Sequence, residues 1–187
     1  MYDVAIVGAG PAGASAAIFT AKAGKKTVVF DNNLSVTRRA WIENHYGAMD
    51  ITGPDLVDTG KKQAEKHGAE IVTAGVENIV SIDGGFQIST DNGTYEAKHV
   101  IIATGMYTDL AEKIGLHTKP GTEPRIKTIL DLDAAGKTNI PGIWGAGTIA
   151  GVSMHTIITA GDGAKVAINL ISEMNGARYV DHDVLKQ

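Results

Sequence analysis

The chain has 187 residues, a formal net charge of −4 and 43% hydrophobic residues, which suits a single domain, residues 1–187, with a real core. The acidic balance disfavours general binding to nucleic acid or to an anionic membrane. Because the sequence contains no cysteine, disulfides, a redox dithiol, a thiolate nucleophile and iron–sulfur ligation are excluded.

The N-terminal segment carries the most informative pattern in the sequence. An apolar run, Tyr2–Val7, is predicted as a strand and enters the stretch Gly8-Ala9-Gly10-Pro11-Ala12-Gly13. A run of small residues, Ala14–Ala23, is predicted as a helix, and a second strand, Thr27–Phe30, ends in Asp31. Strand, glycine turn, helix, strand and acid in this order are typical of a dinucleotide site. The alternative is a glycine-rich turn in an unrelated α/β fold.

Each residue type in this pattern has a physical role. Gly8 permits a tight turn, Gly10 lets a pyrophosphate approach the backbone, and Gly13 lets the helix pack close to the strands. Pro11 suits a first helical turn, whose free N–H groups and partial positive charge favour phosphates. The carboxylate of Asp31 favours a ribose hydroxyl pair over a 2′-phosphate, so FAD or NAD fits better than NADP. The predicted cofactor contacts in this segment are Gly8, Gly10, Pro11, Ala12, Gly13, Asp31 and Asn32.

The next elements are a loop, a helix and a short strand. Residues 32–53 show no clear hydrophobic period and are predicted as a long loop. A long loop between regular elements is often functional. A helix is predicted over Pro54–His67 and a strand over Ala69–Thr73. Lysines at positions 61, 62 and 66 are interpreted as solvated residues near the helix C-terminus, where cations favour the helix dipole.

A β-meander is predicted next, because three short segments alternate apolar and polar residues between strong turn signals. Its strands are Ile79–Ile82, Gly85–Thr90 and Thr94–Ala97. The continuous apolar run His99–Ala103 predicts a separate buried parallel strand, and it ends in Thr104-Gly105.

The C-terminal part is predicted as loop, strand, glycine-rich turn and helix. Residues 106–137 are polar and irregular, and a strand is predicted over Ile140–Trp144. Gly145–Gly151 leads into a long helix, Met154–Met174, and a polar tail follows. In that tail His182 lies between two aspartates; without another ligand cluster we interpret it as a solvated residue, and no metal site is predicted.

These elements predict an α/β fold with a Rossmann-type parallel sheet, in a three-layer ββα-like organisation. The β-meander serves as the crossover to a later parallel strand. NAD-binding Rossmann domains usually cross over by a helix, so the meander favours FAD.

Seven segments, in chain order over nearly the whole sequence, carry a resemblance to known proteins. They are Gly8–Gly13, Glu43-Asn44 with Tyr46-Gly47, Ile51–Leu56, Gln63–Glu70, Ile101–Gly105, Thr138–Trp144 and Thr159–Gly163. Together they resemble the thioredoxin reductase family of flavoproteins. Members of this family carry a second Rossmann domain for NADPH and a CxxC motif. Here the interval 106–137 is too short for a βαβ unit, so the resemblance implies a single FAD-binding domain that is not a thioredoxin reductase on its own.

The resemblance also implies site residues in the rest of the chain. Asn44 is expected at the flavin or ribityl chain, or else as an ordinary loop asparagine, and Val76 near the adenine. The last helix is expected to aim its N-terminus at the flavin, which makes His155 the candidate catalytic residue and, alternatively, a structural histidine. Gly147 is followed by Thr148 where the family has Gly-Asp. The remaining implied cofactor contacts are Ala103, Thr104, Gly105, Gly147, Thr148, Thr156 and Ile157.

Two functions from different classes follow. The first is a FAD-dependent oxidoreductase that takes electrons from an unknown external donor, such as a separate reductase; the second is a non-catalytic protein or subunit that holds FAD or another nucleotide. A minimal NAD-binding dehydrogenase is a third alternative. We expect a cytoplasmic protein, since the first apolar run is too short to span a bilayer. A homodimer is plausible, because a flavin domain without its partner domain leaves apolar surface to cover.

Overall fold

A computed structural model describes residues 1–181 and 183–185. His182, interpreted from the sequence as a solvated tail residue, lies outside the described residues. The strands are β1 (Tyr2–Val7), β2 (Thr27–Phe30), β3 (Trp41–Ile42), β4 (Ile51–Thr52), β5 (Glu70–Val72), β6 (Val76–Ile82), β7 (Gly85–Thr90), β8 (Gly93–Ile102), β9 (Thr118–Pro120), β10 (Thr128–Leu130) and β11 (Ile143–Gly145). The α-helices are α1 (Pro11–Lys22), α2 (Gly53–Lys66), α3 (Asp109–Lys113) and α4 (Thr156–Asn175), and 3₁₀ turns lie at Val36–Arg39 and Gly147–Ala150.

The main sheet has the strand order β5-β2-β1-β8-β7-β6, and β11 pairs with the C-terminal half of β8. The strands β5, β2, β1, β8 and β11 run parallel to one another. Their carboxyl ends therefore meet at one edge of the sheet, which is where open α/β sheets bind ligands. The predicted Rossmann-type sheet is confirmed.

The meander and the buried parallel strand differ from the prediction in one respect. Residues 94–97 and 99–102 belong to one long strand, β8, rather than to two, and Ala103 follows its end. Its first half pairs antiparallel with β7, and its second half pairs parallel with β1 and β11. Lys98 and its neighbours continue the extended backbone, so the alternating run and the apolar run form one strand that belongs to both layers.

Two hydrophobic clusters lie on opposite faces of the parallel sheet and give the three predicted layers. On one face, Val4, Ile6 and Ile101 pack with side chains of α1 and α4, including Ala16 and Leu170. The other face contributes Val28, Phe30 and Val100, which pack with Phe86 and Ile88 of the meander. The order of layers is therefore helices, parallel sheet and meander.

Two stretches that the sequence predicts to be irregular contain short helices and strands. Residues 106–137 contain α3 and the β9–β10 hairpin, and the stretch 32–53 contains a 3₁₀ turn and the β3–β4 pair. These elements are only two to five residues long, too short for a helix or strand period to emerge in the sequence. The strand predicted over 140–144 is observed at Ile143–Gly145. Within the described residues, no helix combines the length and apolar character needed to cross a bilayer.

Candidate functional site: an elongated pocket at the carboxyl edge of the sheet

A cavity of about 600 Å³ lies at the carboxyl ends of the parallel strands, within the size range of ligand sites. It extends from Asp31, after β2, across the glycine-rich turn after β1, to Thr148, after β11. Because β2 and β11 lie on opposite sides of β1 in the sheet, the pocket has two ends with the glycine turn between them. This shape suits an elongated ligand.

Two glycines of the glycine turn, Gly8 and Gly13, leave no space for a Cβ atom. Gly8 has a φ of +103°, and a Cβ atom there would lie 2.4 Å from the carbonyl oxygen of Ala103. A Cβ on Gly13 would lie 1.8 Å from the carbonyl oxygen of Gly8, so α1 can approach β1 only through a glycine. Pro11 occupies the first helical turn, and no side chain caps the helix. The first N–H groups of α1 are thus left for a ligand.

The carboxylate of Asp31 lies at one end of the pocket and is only 3% exposed. Its Oδ1 accepts a hydrogen bond from the N–H of Asn33 at 2.9 Å, and its Oδ2 lies 3.0 Å from Nζ of Lys61. Lys61 also lies 3.7 Å from Asp58, which pairs with Arg38 at 2.9 Å. Lys61 is therefore not the solvated residue expected from the sequence, because α2 turns it toward the end of β2.

The opposite end of the pocket is built by the turn after β11 and the start of α4. Ala146, Thr148, Met154, Thr156 and Thr159 line it. Gly147, with a φ of +83°, lies behind this wall; its N–H donates to Oδ2 of Asp162 at 2.8 Å.

The candidate catalytic residue His155 lies outside the pocket wall. It precedes the first residue of α4, and its Nδ1 lies 2.8 Å from Oγ of Ser153 in an exposed position. Ile157 also lies outside the wall and is 38% exposed. Of the three consecutive residues expected at the flavin, only Thr156 lines the pocket. His155 precedes the helix with an extended backbone, and Ile157 points about 100° away from Thr156 around the helix axis.

A histidine that sequence reasoning did not select approaches the pocket instead. Nδ1 of His45 lies 2.9 Å from Oγ1 of Thr156, so this loop residue contacts the wall indirectly. Burial lowers the pKa of His45 below its ordinary value, which favours the neutral imidazole. Its neighbour Asn44 is exposed and lies outside the wall. No spacing in the sequence relates position 45 to position 156, so only the fold brings the two together.

The rest of the pocket wall contains other residues predicted as cofactor contacts and a group that was missed. Val76 and residues 103–105 line the pocket, as do Gly8, Gly10, Pro11, Ala12, Asp31 and Asn32, whereas Gly13 lies outside the wall. The missed group lies in the stretch expected to be irregular, where two of its residues precede α3 and three lie on it. They are Met106, Tyr107, Asp109, Leu110 and Lys113. Nζ of Lys113 donates to the carbonyl of Glu77 at 2.9 Å and ties α3 to β6. The described residues include no group of three histidine, aspartate or glutamate side chains arranged to hold a metal ion.

Comparison with known proteins points to one family. The family model for pyridine nucleotide-disulphide oxidoreductases matches residues 2–130. A thioredoxin reductase from Listeria monocytogenes is 35% identical over 108 residues, which are 56% of this chain and 34% of that protein. A thioredoxin reductase from Treponema pallidum is 41% identical over 108 residues, which are 56% of this chain and 35% of that protein. The chain thus spans about a third of the length of the curated relatives it matches.

Solved structures show the same fold. A thioredoxin reductase from Gloeobacter violaceus aligns with a TM-score of 0.84 and 17% identity, covering 98% of this chain and 99% of that one. The atypical thioredoxin reductase TRi from Desulfovibrio vulgaris Hildenborough aligns with a TM-score of 0.83 and 21% identity, covering 94% and 99%.

Proposed function

The chain belongs to the pyridine nucleotide-disulphide oxidoreductase family, and on this premise we propose that it is a FAD-binding flavoprotein oxidoreductase that receives electrons from an external donor. The observation that carries the proposal is the elongated pocket, which joins the Asp31 end and the Thr148 end across the glycine turn. A mononucleotide would occupy one end only, whereas a dinucleotide fits both.

The residues present fit FAD. The glycine turn offers backbone at Gly8 and Gly10 and the uncapped N-terminus of α1 to a pyrophosphate, as expected for an anion site. The buried carboxylate of Asp31 would accept hydrogen bonds from ribose hydroxyls. At the other end, Met154 and the hydroxyl groups of Thr148 and Thr156 would hold the flavin half.

Bound FAD would supply the electron-transfer chemistry, and the protein would bind and tune it. The N-terminus of α4 carries no side-chain cap, so its partial positive charge favours negative charge that develops near Thr156 during reduction. Nδ1 of His45 fixes the orientation of the Thr156 hydroxyl through their 2.9 Å contact. His45 thereby replaces His155 as the residue best placed to hold or move a proton at Oγ1 of Thr156.

The electron donor and acceptor are part of the proposal. The 187 residues contain no cysteine, so electrons would leave the flavin directly for a substrate or for the redox group of a partner. We propose a separate reductase as donor and a homodimer as the assembly.

The first experiment is the visible absorption spectrum of the freshly purified protein, with chromatography of any released cofactor. We expect FAD, and we expect added FAD to rebind to the apoprotein. The variant Gly10→Val should lose FAD binding by tenfold or more, since even a Cβ there lies 3.2 Å from Oγ of Ser35 across the pocket. A colourless protein that also fails to bind added FAD contradicts the proposal, and tight NAD without flavin favours the minimal dehydrogenase.

A non-catalytic FAD or nucleotide-binding protein is the second candidate. It is favoured by Thr148, which lines the pocket with an uncharged hydroxyl where the resemblance leads us to expect an aspartate. Anaerobic titration of the flavoprotein with NADH, NADPH and reduced partner proteins separates the two. Rapid reduction and reoxidation supports the oxidoreductase, and a flavin that stays oxidised with every donor supports the binding protein.

A further inference from the structure

Asp162 is a buried carboxylate on α4 that lies behind the pocket wall. It is 7% exposed. Its Oδ2 accepts a hydrogen bond from the N–H of Gly147 at 2.8 Å, and its Oδ1 lies 2.6 Å from Nζ of Lys165. A carboxylate is costly to bury without partners, and here one partner is the backbone of the turn that forms one end of the pocket.

Gly147 is pressed between this carboxylate and the start of α1. Its φ of +83° is a left-handed conformation, and a Cβ atom there would lie 2.6 Å from Cβ of Ala12. Ala12 belongs to the glycine turn and lines the pocket. The hydrogen bond from Gly147 to Asp162 therefore fixes the spacing between the turn after β11 and the glycine turn after β1.

The residue that follows Gly147 is Thr148, which faces the cavity. The turn is anchored before Gly147 by the N–H of Ala146, which donates to the carbonyl of Ile102 at 3.0 Å. After Gly147 it closes on itself, because the N–H of Gly151 donates to the carbonyl of Thr148 at 3.0 Å. The charge-assisted bond to Asp162 thus connects this turn to α4.

We infer that Asp162 is a positioning residue for the flavin half of FAD: it holds Thr148 at the correct distance from the glycine turn. This inference rests on the proposed function. Asp162 does not line the pocket, so it acts through Gly147 and Thr148. The Asp31 end lies on the other side of the glycine turn, and Asp162 should have little influence on the adenosine half of the ligand.

The test compares FAD with ADP, which shares only the adenosine and pyrophosphate half. Dissociation constants for both are measured for the parent protein and for Asp162→Ala, Asp162→Asn and Lys165→Met, together with unfolding temperatures. We expect Asp162→Ala to weaken FAD by about tenfold, the order expected for a lost hydrogen bond to a charged group, and to change ADP binding less than about threefold. Asp162→Asn keeps an acceptor for the Gly147 N–H, and Lys165→Met keeps the carboxylate, so both should retain FAD to within about threefold.

A purely structural role for Asp162 predicts a different pattern, in which FAD and ADP weaken by the same factor as the protein loses stability. That result, or FAD affinity in Asp162→Ala within twofold of the parent, overturns the inference. Should Asp162→Ala fail to fold, Asp162→Glu replaces it in the test, because it keeps the charge and moves the acceptor by one methylene. If Asp162→Glu weakens FAD and ADP binding by the same factor, the inference is overturned. Failure of the proposed function is read separately, from the parent: a parent that binds no FAD overturns both.

Discussion

At the level of single residues, Asp31 lies at the end of β2 as expected, and the structure adds that its buried carboxylate has Lys61 as a partner. Its place at the end of β2 follows from the strand–turn–helix–strand order, and the structure puts it in the pocket wall. Its carboxylate is almost fully buried, and Lys61 of α2 supplies a cation at 3.0 Å. The Asp31 end of the pocket therefore depends on a lysine that is distant in sequence.

Replacing Lys61 tests this dependence. The variant Lys61→Met leaves Oδ2 of Asp31 without its cation, and we expect the free energy of unfolding to fall by about 1–3 kcal/mol, the cost of an uncompensated buried group. Because the carboxylate is then the source of the loss, Asp31→Asn combined with Lys61→Met should recover much of it. Urea unfolding measures both changes. Lys62→Met is the matched control, since Lys62 is exposed and its loss should cost under about 0.5 kcal/mol; an equal cost at both lysines contradicts the prediction.

The two histidines near α4 show that the sequence does not reveal which side chain contacts the Thr156 hydroxyl. The sequence predicts His155 at the flavin because it is the titratable residue at the start of the last helix, yet its ring contacts Ser153 outside the pocket wall. His45 contacts the Thr156 hydroxyl, although 111 positions separate them in the sequence. Adjacency along a chain does not determine the direction of a side chain, and the path of the loop 43–50 cannot be read from its composition.

At the level of elements, close packing of α1 and α4 sets the width of the site. Gly163 lies at their contact, where a Cβ atom would be 2.0 Å from the carbonyl oxygen of Ala12. Gly161 lies two residues earlier on the same helix, and nothing approaches its Cβ position within 4 Å. The two glycines are alike in the sequence, and only the packing distinguishes a required glycine from a replaceable one.

This difference predicts opposite signs for one substitution at two positions of α4. Gly163→Ala should lower the free energy of unfolding by about 1–3 kcal/mol or more, because a backbone carbonyl cannot move aside as a flexible side chain can. Gly161→Ala should raise it by about 0.5–1 kcal/mol, the gain in helix propensity at an open site. Thermal and urea unfolding of both variants measure the effect. A change of the same sign at both positions would show that α1 and α4 do not pack as closely as described.

At the level of the whole molecule, burial in the folded protein disfavours the protonated, charged form of two histidines. His99 lies in the central strand β8, and its Nδ1 has no hydrogen-bond partner among the described residues. Burial lowers the pKa of His99 below its ordinary value of 6.5, although the nearby Glu173 acts in the opposite direction. Burial lowers the pKa of His45 in the same way. The folded protein therefore resists protonation that the unfolded chain accepts.

The sign of the resulting pH dependence follows from linkage. Well above pH 6.5 His99 is neutral in both the folded and the unfolded state, and its full contribution to stability is present. As the pH falls through 6.5 and then through the lowered pKa, the unfolded state binds more protons and the free energy of unfolding decreases. We expect His99→Gln to lose less stability than the parent between pH 7.5 and pH 5.5, measured by urea unfolding. His117→Gln, at an exposed position, controls for the substitution itself, and parallel curves for parent and His99→Gln contradict the prediction.

Local sequence patterns are enough to predict the order of elements, the glycine turn, the acid after β2 and the meander crossover. These follow from local rules: side-chain period, turn residues, and glycines where backbone must approach backbone. Three features depend on tertiary packing: residues 93–102 form one strand in two layers, α3 lines the pocket, and Lys61, His45 and Asp162 contact the pocket wall or the turn behind it. Each of these is a contact between elements distant in sequence, and such contacts depend on how faces pack against one another, which no local pattern of residues records.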